Sequence, residues 1–243
     1  MRLKDKTAVI TGGGTGIGLG IAQALAAEGC RVLIAGRREE AVRQAAEAWQ
    51  GETPMLYHAV DVSDRDSVQQ LFDDANARLG KIDILINSAG TNIKTRTMGQ
   101  MTPEQWDQVM AINATGAYNC MFAVLPQMRE RKDGLIINIS SIAGKRAAAL
   151  GGIAYCASKF AMTALGTSVG NEVGPDGIRV TNIYPGEVNT PILDNRPTPV
   201  SDEHKARILQ MEDIGGLVVA IALLPPRAHV PEMIIKPTCQ GYV

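Results

Sequence analysis

Thr7 to Gly18 read TAVITGGGTGIG. Five uncharged residues rich in β-branched side chains predict a short buried strand over Thr7–Thr11. Glycines follow at once, and from Ile17 the apolar spacing turns helical as far as Glu28, where Gly29 supplies a stop. Strand, glycine turn and helix in direct succession suit a phosphate. With no side chains in the way, backbone N–H groups can approach a pyrophosphate, and the helix N-terminus adds a favourable dipole. The spacing is Gly12-x-x-x-Gly16-x-Gly18 rather than the strict GxGxxG, but the chemistry is the same.

The alternation continues along the chain. Strands are predicted over Arg31–Ala35, Met55–Val60, Ile82–Asn87, Leu135–Ser140, Arg179–Tyr184 and Met233–Lys236, each an apolar run. Helices are predicted over Glu39–Trp49, Val68–Leu79, Ala154–Val173 and Ile214–Leu224, with Ser63 and Asp66 as a cap for the second. A longer helix begins at Pro103, just after Thr102, and runs through Asn113 towards Leu125. Seven apolar strands separated by helices predict an α/β protein: a doubly wound Rossmann fold whose seven-stranded parallel sheet carries helices on both faces. With no linker and no internal repeat, residues 1–243 are expected to form one nucleotide-binding domain. The stretch from about 187 to 213, with Pro191, Pro197 and Pro199, is expected to be a lid over the substrate.

The chain has 243 residues, 45% of them hydrophobic, and a net charge of −1. That balance provides no basic field for nucleic acid or an anionic membrane. The longest uninterrupted apolar run, Leu217 to Leu224, is too short to span a bilayer, and Met1 to Lys6 carries no signal-peptide pattern. Four cysteines without a CxxC suit free thiols in a reducing cytosol, so a cytoplasmic protein is expected. The three histidines are scattered, and neither a metal site nor a Cys–His nucleophile is expected.

Ligands of such sheets bind outside the carboxyl ends of the strands. The second strand ends at Gly36, followed by Arg37 and Arg38. A free ribose 2′-hydroxyl would want a carboxylate there and a 2′-phosphate would want arginine, so NADP (NADPH) is the cofactor expected. Later strands end at Asp61-Val62, at Asn87-Ser-Ala89-Gly90, at Ser141 and at PGEVNT, Pro185 to Thr190. In YCASK, Tyr155 and Lys159 stand four apart and share one face of a helix that follows the Ser141 strand. An ammonium beside a phenol favours the phenolate, which would make Tyr155 a general acid/base. Lys145 and Arg146, just after Ser141, are either clamps for a substrate carboxylate or solvated loop charges.

TGGGTGIG, NSAG, Asn113, Ser141, YCASK and PGEVNT, in this order, resemble the short-chain dehydrogenase/reductase family in its compact one-domain form, over essentially the whole chain. The resemblance implies an NADP-dependent oxidoreductase interconverting a secondary alcohol and a carbonyl. The catalytic residues it implies are Asn113, Ser141, Tyr155 and Lys159. Tyr155 would move the proton, Ser141 hold the substrate oxygen, Lys159 hold the nicotinamide ribose and depress the Tyr155 pKa, and Asn113 hold a relay water. The implied cofactor cleft comprises Gly12, Thr15, Gly16, Ile17, Gly18, Arg37, Arg38, Asp61, Val62, Asn87, Ala89, Gly90, Pro185, Gly186, Val188 and Thr190. The C-terminal EMIIKPTCQ is more similar to the 3-hydroxy acid dehydrogenase and small carbonyl reductase branch, and a homodimer or tetramer is implied. A ketoacyl-thioester reductase and a non-catalytic NADP-binding protein are the alternatives.

Overall fold

A computed structural model describes residues 1–241, so the last two residues of the expected domain, Tyr242 and Val243, lie outside the described residues. Seven strands form one sheet in the order β3-β2-β1-β4-β5-β6-β7. They are β1 (Thr7–Thr11), β2 (Arg31–Gly36), β3 (Leu56–Ala59), β4 (Ile84–Asn87), β5 (Gly134–Ile139), β6 (Ile178–Pro185) and β7 (Glu232–Ile235). Every neighbouring pair is parallel. The order reverses at β1, whose neighbours are β2 and β4, which opens a crevice at their carboxyl ends.

Alternate strand residues feed two cores. Ala8, Ile10, Ile34, Ile86 and Ile137 pack against α1 (Gly16–Ala27), α2 (Glu39–Ala48) and α8 (Met211–Ala222). Val9, Leu33, Leu85 and Ile136 face the other way, towards α3 (Arg65–Leu79), α5 (Gly116–Arg131) and α6 (Ile153–Val173). A strand covered on both faces has no polar side, and these nine strand residues are fully buried. Each large side chain so buried contributes about 1.5–3 kcal/mol.

Local rules account for most boundaries. Thr102 caps α4 (Pro103–Met110) in a capping box with Gln105, and Pro103 occupies the first turn. The cap of α3 is Asp64, which accepts from the Ser67 N–H at 2.9 Å, and not the expected Ser63. Ser63 instead donates its hydroxyl to Asp61, at 2.6 Å, and shapes the end of β3. The single long helix expected from Pro103 is interrupted. Between α4 and α5, Ala111–Thr115 form a π-helical turn in which the Gly116 N–H reaches back to Ala111. Beyond the expected limit, α5 continues past Pro126, because Gln127 accepts from the Ile82 N–H and Arg131 donates to the Ile82 carbonyl.

By length and hydropathy Pro103–Arg131 could cross a bilayer, with a mean hydropathy of 1.2 over its most apolar 18 residues. Cys120, Met121 and Val124 are instead committed to the sheet's core. The predicted lid region holds a 3₁₀ turn (Pro191–Asn195) and a short helix α7 (Asp202–Arg207) capped by Ser201.

Candidate active site

Tyr155 and Lys159 lie one turn apart on α6, at the end opening onto the crevice. Lys159 is buried, and its Nζ donates to the Ile139 carbonyl at 2.9 Å, at the carboxyl end of β5. Ser141, two residues on, begins a 3₁₀ turn and accepts from the Ala143 N–H at 3.1 Å. Its hydroxyl lies close enough to the Tyr155 phenol to favour the phenolate. Asn113 sits in the π turn and is fully buried. Its Oδ1 accepts from the Thr91 N–H at 2.8 Å, while Nδ2 donates to the Thr91 carbonyl at 3.0 Å and to Ser158 Oγ at 2.9 Å. Ser158 in turn donates to the Tyr155 carbonyl at 2.8 Å, so the Asn113 amide ties the β4 loop to α6.

The electrostatics depart from the sequence expectation. The Tyr155 phenol is pushed above its ordinary pKa by burial, while the Ser141 hydrogen bond draws it partly back. Lys159 Nζ lies 5.7 Å from the ring centre and is turned to the Ile139 carbonyl. Burial lowers the ammonium itself to about 8.

A separate cavity of about 190 Å³ runs along the carboxyl ends of β1 to β4. Of the residues expected in a cofactor cleft, Gly12, Thr15, Arg37, Arg38, Asp61, Val62, Ala89 and Gly90 line it. Its floor leaves no room for side chains: a Cβ on Gly12, whose φ is +66°, would stand 2.7 Å from the Ser88 carbonyl oxygen. On Gly18 it would stand 2.3 Å from the Gly12 carbonyl oxygen. Gly16 and Ile17 open α1, and Thr190 faces Gly16 from across the crevice, with 3.1 Å between its side chain and a Cβ placed there. Pro185 ends β6, the Gly186 N–H bonds the Ile235 carbonyl, and Val188 is buried against Leu209.

Two expected residues are used otherwise. Asn87 donates to Asn138 at 2.9 Å and Asn138 to Asn182 at 3.0 Å, a buried amide ladder across β4, β5 and β6, so the Asn87 side chain lies in the sheet and not along the cleft. Lys145 forms an ion pair with Glu232 and lies over the Tyr184 ring.

The wider comparisons agree with one another. A family model described as short chain dehydrogenase matches residues 6–200. The chain belongs to the short-chain dehydrogenase family. It is 32% identical over 240 residues to an uncharacterized oxidoreductase of Staphylococcus saprophyticus, covering 98% of this chain and 99% of that one. A metagenomic short-chain oxidoreductase solved in complex with NADP superimposes with a TM-score of 0.83 at 31% identity, over 99% and 100% of the two chains. An alcohol dehydrogenase from Thermococcus sibiricus complexed with 5-hydroxy-NADP gives 0.87 at 26%, over 97% and 98%.

This short-chain dehydrogenase is an oxidoreductase of the type that acts on CH–OH groups. Sequence reasoning missed Thr91 and Ile112, which line the cleft, and Arg96, a buried arginine near Tyr155. Thr91 directly follows NSAG, and that adjacency was the available signal.

Proposed function

We propose that this short-chain dehydrogenase interconverts a secondary alcohol and a ketone with NADP(H), on a 3-hydroxy acid or a small ketone. One observation carries the reading. A methyl group added at Gly90, on the wall of the cleft, would lie 3.6 Å from both Lys159 Nζ and Asn113 Oδ1, so the cleft runs up to the Tyr155 helix.

The glycine floor fits the pyrophosphate of a dinucleotide, and Asp61 and Val62, which line the cleft, would flank its adenine end. Bound there, NADPH supplies a hydride. Ser141 and Tyr155 hold the substrate oxygen between two hydroxyls, and the phenol gives its proton as the oxygen gains charge. Lys159 keeps donors beyond the one spent on Ile139 and turns them to the ribose hydroxyls. Its charge beside the phenol then favours the phenolate. Asn113 acts as a positioning residue whose clamp on Thr91 fixes the cleft wall.

Preference for NADP rests on Arg37 and Arg38, both exposed at the mouth, with Gly36 offering no carboxylate. Asp61 attracts Arg37 from the next strand but is held by Ser63, which keeps its pKa low. Residues 187–213 act as the lid. The protein is a cytoplasmic homo-oligomer in this reading: Tyr118, Phe122 and Phe160 on α5 and α6 are exposed, Phe122 by 69%, and the four cysteines are free thiols.

The test is turnover of purified protein with NADPH and with NADH over hydroxy acids, small ketones, diketones and ketosteroids. Loss of NADPH coupled to one of these supports the reading. Cofactor binding with no turnover of any of them would leave a nucleotide-binding protein, and activity confined to pantetheine thioesters would make it a ketoacyl reductase.

A further inference from the structure

A second cavity, of about 1090 Å³, lies beyond Tyr155 between three carboxyl-end loops: residues 94–100 after β4, 149–150 after β5 and 196–204 after β6. Its lining holds Lys94, Arg96, Arg196 and His204 and no aspartate or glutamate. That imbalance is unusual for a surface whose acids and bases are otherwise matched.

Arg96 is the centre of it. Only 9% exposed, it donates to the carbonyls of Ile93 at 3.0 Å, of Leu150 and of Asn195 at 2.9 Å. All three partners are neutral, and among the described residues Arg96 has no ion pair, so its charge is buried in dipoles without a counter-charge. Burial, and after it repulsion from Arg196, lowers the Arg96 pKa, and both arginines line the one cavity. Arg196 meets one carboxylate, Glu187, at 2.9 Å, and Glu187 is shared with His204 at 2.8 Å and does not line the cavity. The pair therefore carries an excess of positive charge on the cavity side. A buried charge without a partner is costly, and a planar carboxylate that accepts from two arginine forks removes the cost.

The location ties the cluster to the reaction. The Ile153 N–H, two residues before Tyr155, bonds the Arg96 carbonyl at 3.2 Å. The Arg96 side chain is near enough to Tyr155 for their charges to interact. The loop that carries Arg96 is thus joined to the first turn of the helix that carries Tyr155.

We infer that Arg96 and Arg196 form a substrate-carboxylate site, with Lys94 at its rim, and that the enzyme acts on keto and hydroxy acids rather than on neutral ketones. This rests on the oxidoreductase reading above and names its substrate class. It places a carboxylate clamp on a different pair of cations from Lys145 and Arg146.

The experiment uses the full-length protein, its Arg196→Gln variant and, because Arg96 also pins three loops, an Arg96→Lys variant that keeps the charge and loses the fork. With NADPH, 3-oxobutanoate and its methyl ester are compared as substrates. Separately, 3-hydroxybutanoate, its methyl ester and glycerol 3-phosphate are compared as ligands by the shift each gives in Tm, since binding to the folded state raises it. The Kd for NADPH reports whether each variant is folded.

The expected result is a lower KM for the acid than for the ester. Arg196→Gln then raises KM for the acid roughly ten- to a hundred-fold. The ester's KM and the NADPH Kd stay unchanged, and the Tm shift given by 3-hydroxybutanoate is lost. Equal KM values for acid and ester in the wild type, or equal changes for both in Arg196→Gln with NADPH bound normally, overturn the carboxylate site while leaving the oxidoreductase reading intact. A Tm shift from glycerol 3-phosphate with none from 3-hydroxybutanoate also overturns it, in favour of a phosphate. If no carbonyl compound is reduced at all, the oxidoreductase reading fails. The site is then decided by Tm alone: a shift with the acid and none with the ester upholds it, and any other pattern sinks it.

Discussion

Lys159 Nζ lies 5.7 Å from the centre of the Tyr155 ring and is held there by a 2.9 Å hydrogen bond to the Ile139 carbonyl. The ammonium is buried without a carboxylate, and burial lowers its pKa to about 8. A base whose folded pKa is depressed binds its proton more weakly in the folded state than in the unfolded chain. Stability therefore rises with pH between the folded value, about 8, and the unfolded value of 10.5.

Lys159→Met removes this titration. The stability of wild type relative to the variant should be flat from pH 6 to about 8, then rise by up to about 1.4 kcal/mol per pH unit. Denaturant unfolding of both proteins across that range measures it. A difference that does not change with pH would show an ammonium with an ordinary pKa, and hence a wetter site.

Cofactor preference follows from the β2 end. Gly36→Asp with Arg37→Ser places a carboxylate where the 2′-hydroxyl would be and removes one guanidinium. A Cβ at position 36 approaches Val42 at 3.2 Å, which requires a small adjustment and no backbone change. The ratio of kcat/KM for NADPH over NADH should fall by roughly ten- to a hundred-fold, the worth of one charge-assisted contact. A ratio that stays constant would reduce Arg37 to a surface charge.

The proposed lid carries Glu187, whose Oε2 meets Arg196 at 2.9 Å and His204 at 2.8 Å. Burial raises its pKa, but the hydrogen bonds from His204 and Arg196 outweigh this and leave it below its ordinary value. A carboxylate with a lowered folded pKa stabilises the fold above its unfolded pKa, and the contribution is lost as pH falls through the folded value. Glu187→Gln should mimic that loss at neutral pH. Hydrogen exchange should quicken across residues 191–207 and remain slow in β1, β4 and β5. Unchanged exchange in the lid would show that the ion pair does not hold it.

The sheet was legible because strands buried on both faces are rich in apolar residues, as the central β1, β2, β4 and β5 are, while the edge strands β3 and β7 are half exposed and carry His58 and Glu232. The glycine loop, Tyr155, Lys159 and Ser141 were legible because strand ends and helix spacing bring them to one crevice. The π turn around Asn113 was not, since shifting a hydrogen bond by one residue changes no composition. Nor were the partners that come from afar. Lys145 meets Glu232, 87 residues on, and Arg96 bonds Leu150 and Asn195, 54 and 99 residues away. No local pattern marks such a pair, and only the assembled sheet brings the loops together.

The account stands most directly on the proton carried by Tyr155. Tyr155→Phe keeps the ring and its packing on α6 and removes the hydroxyl shared with Ser141. The decisive measurement is single-turnover transfer of deuterium from nicotinamide-labelled NADPH to the carbinol carbon of the alcohol product, for wild type and Tyr155→Phe, alongside the Kd for NADPH. The account predicts transfer by wild type and a rate lower by roughly 10²–10⁴-fold in the variant, the worth of a positioned general acid, with Kd nearly unchanged. Transfer at a near-normal rate by Tyr155→Phe would contradict it.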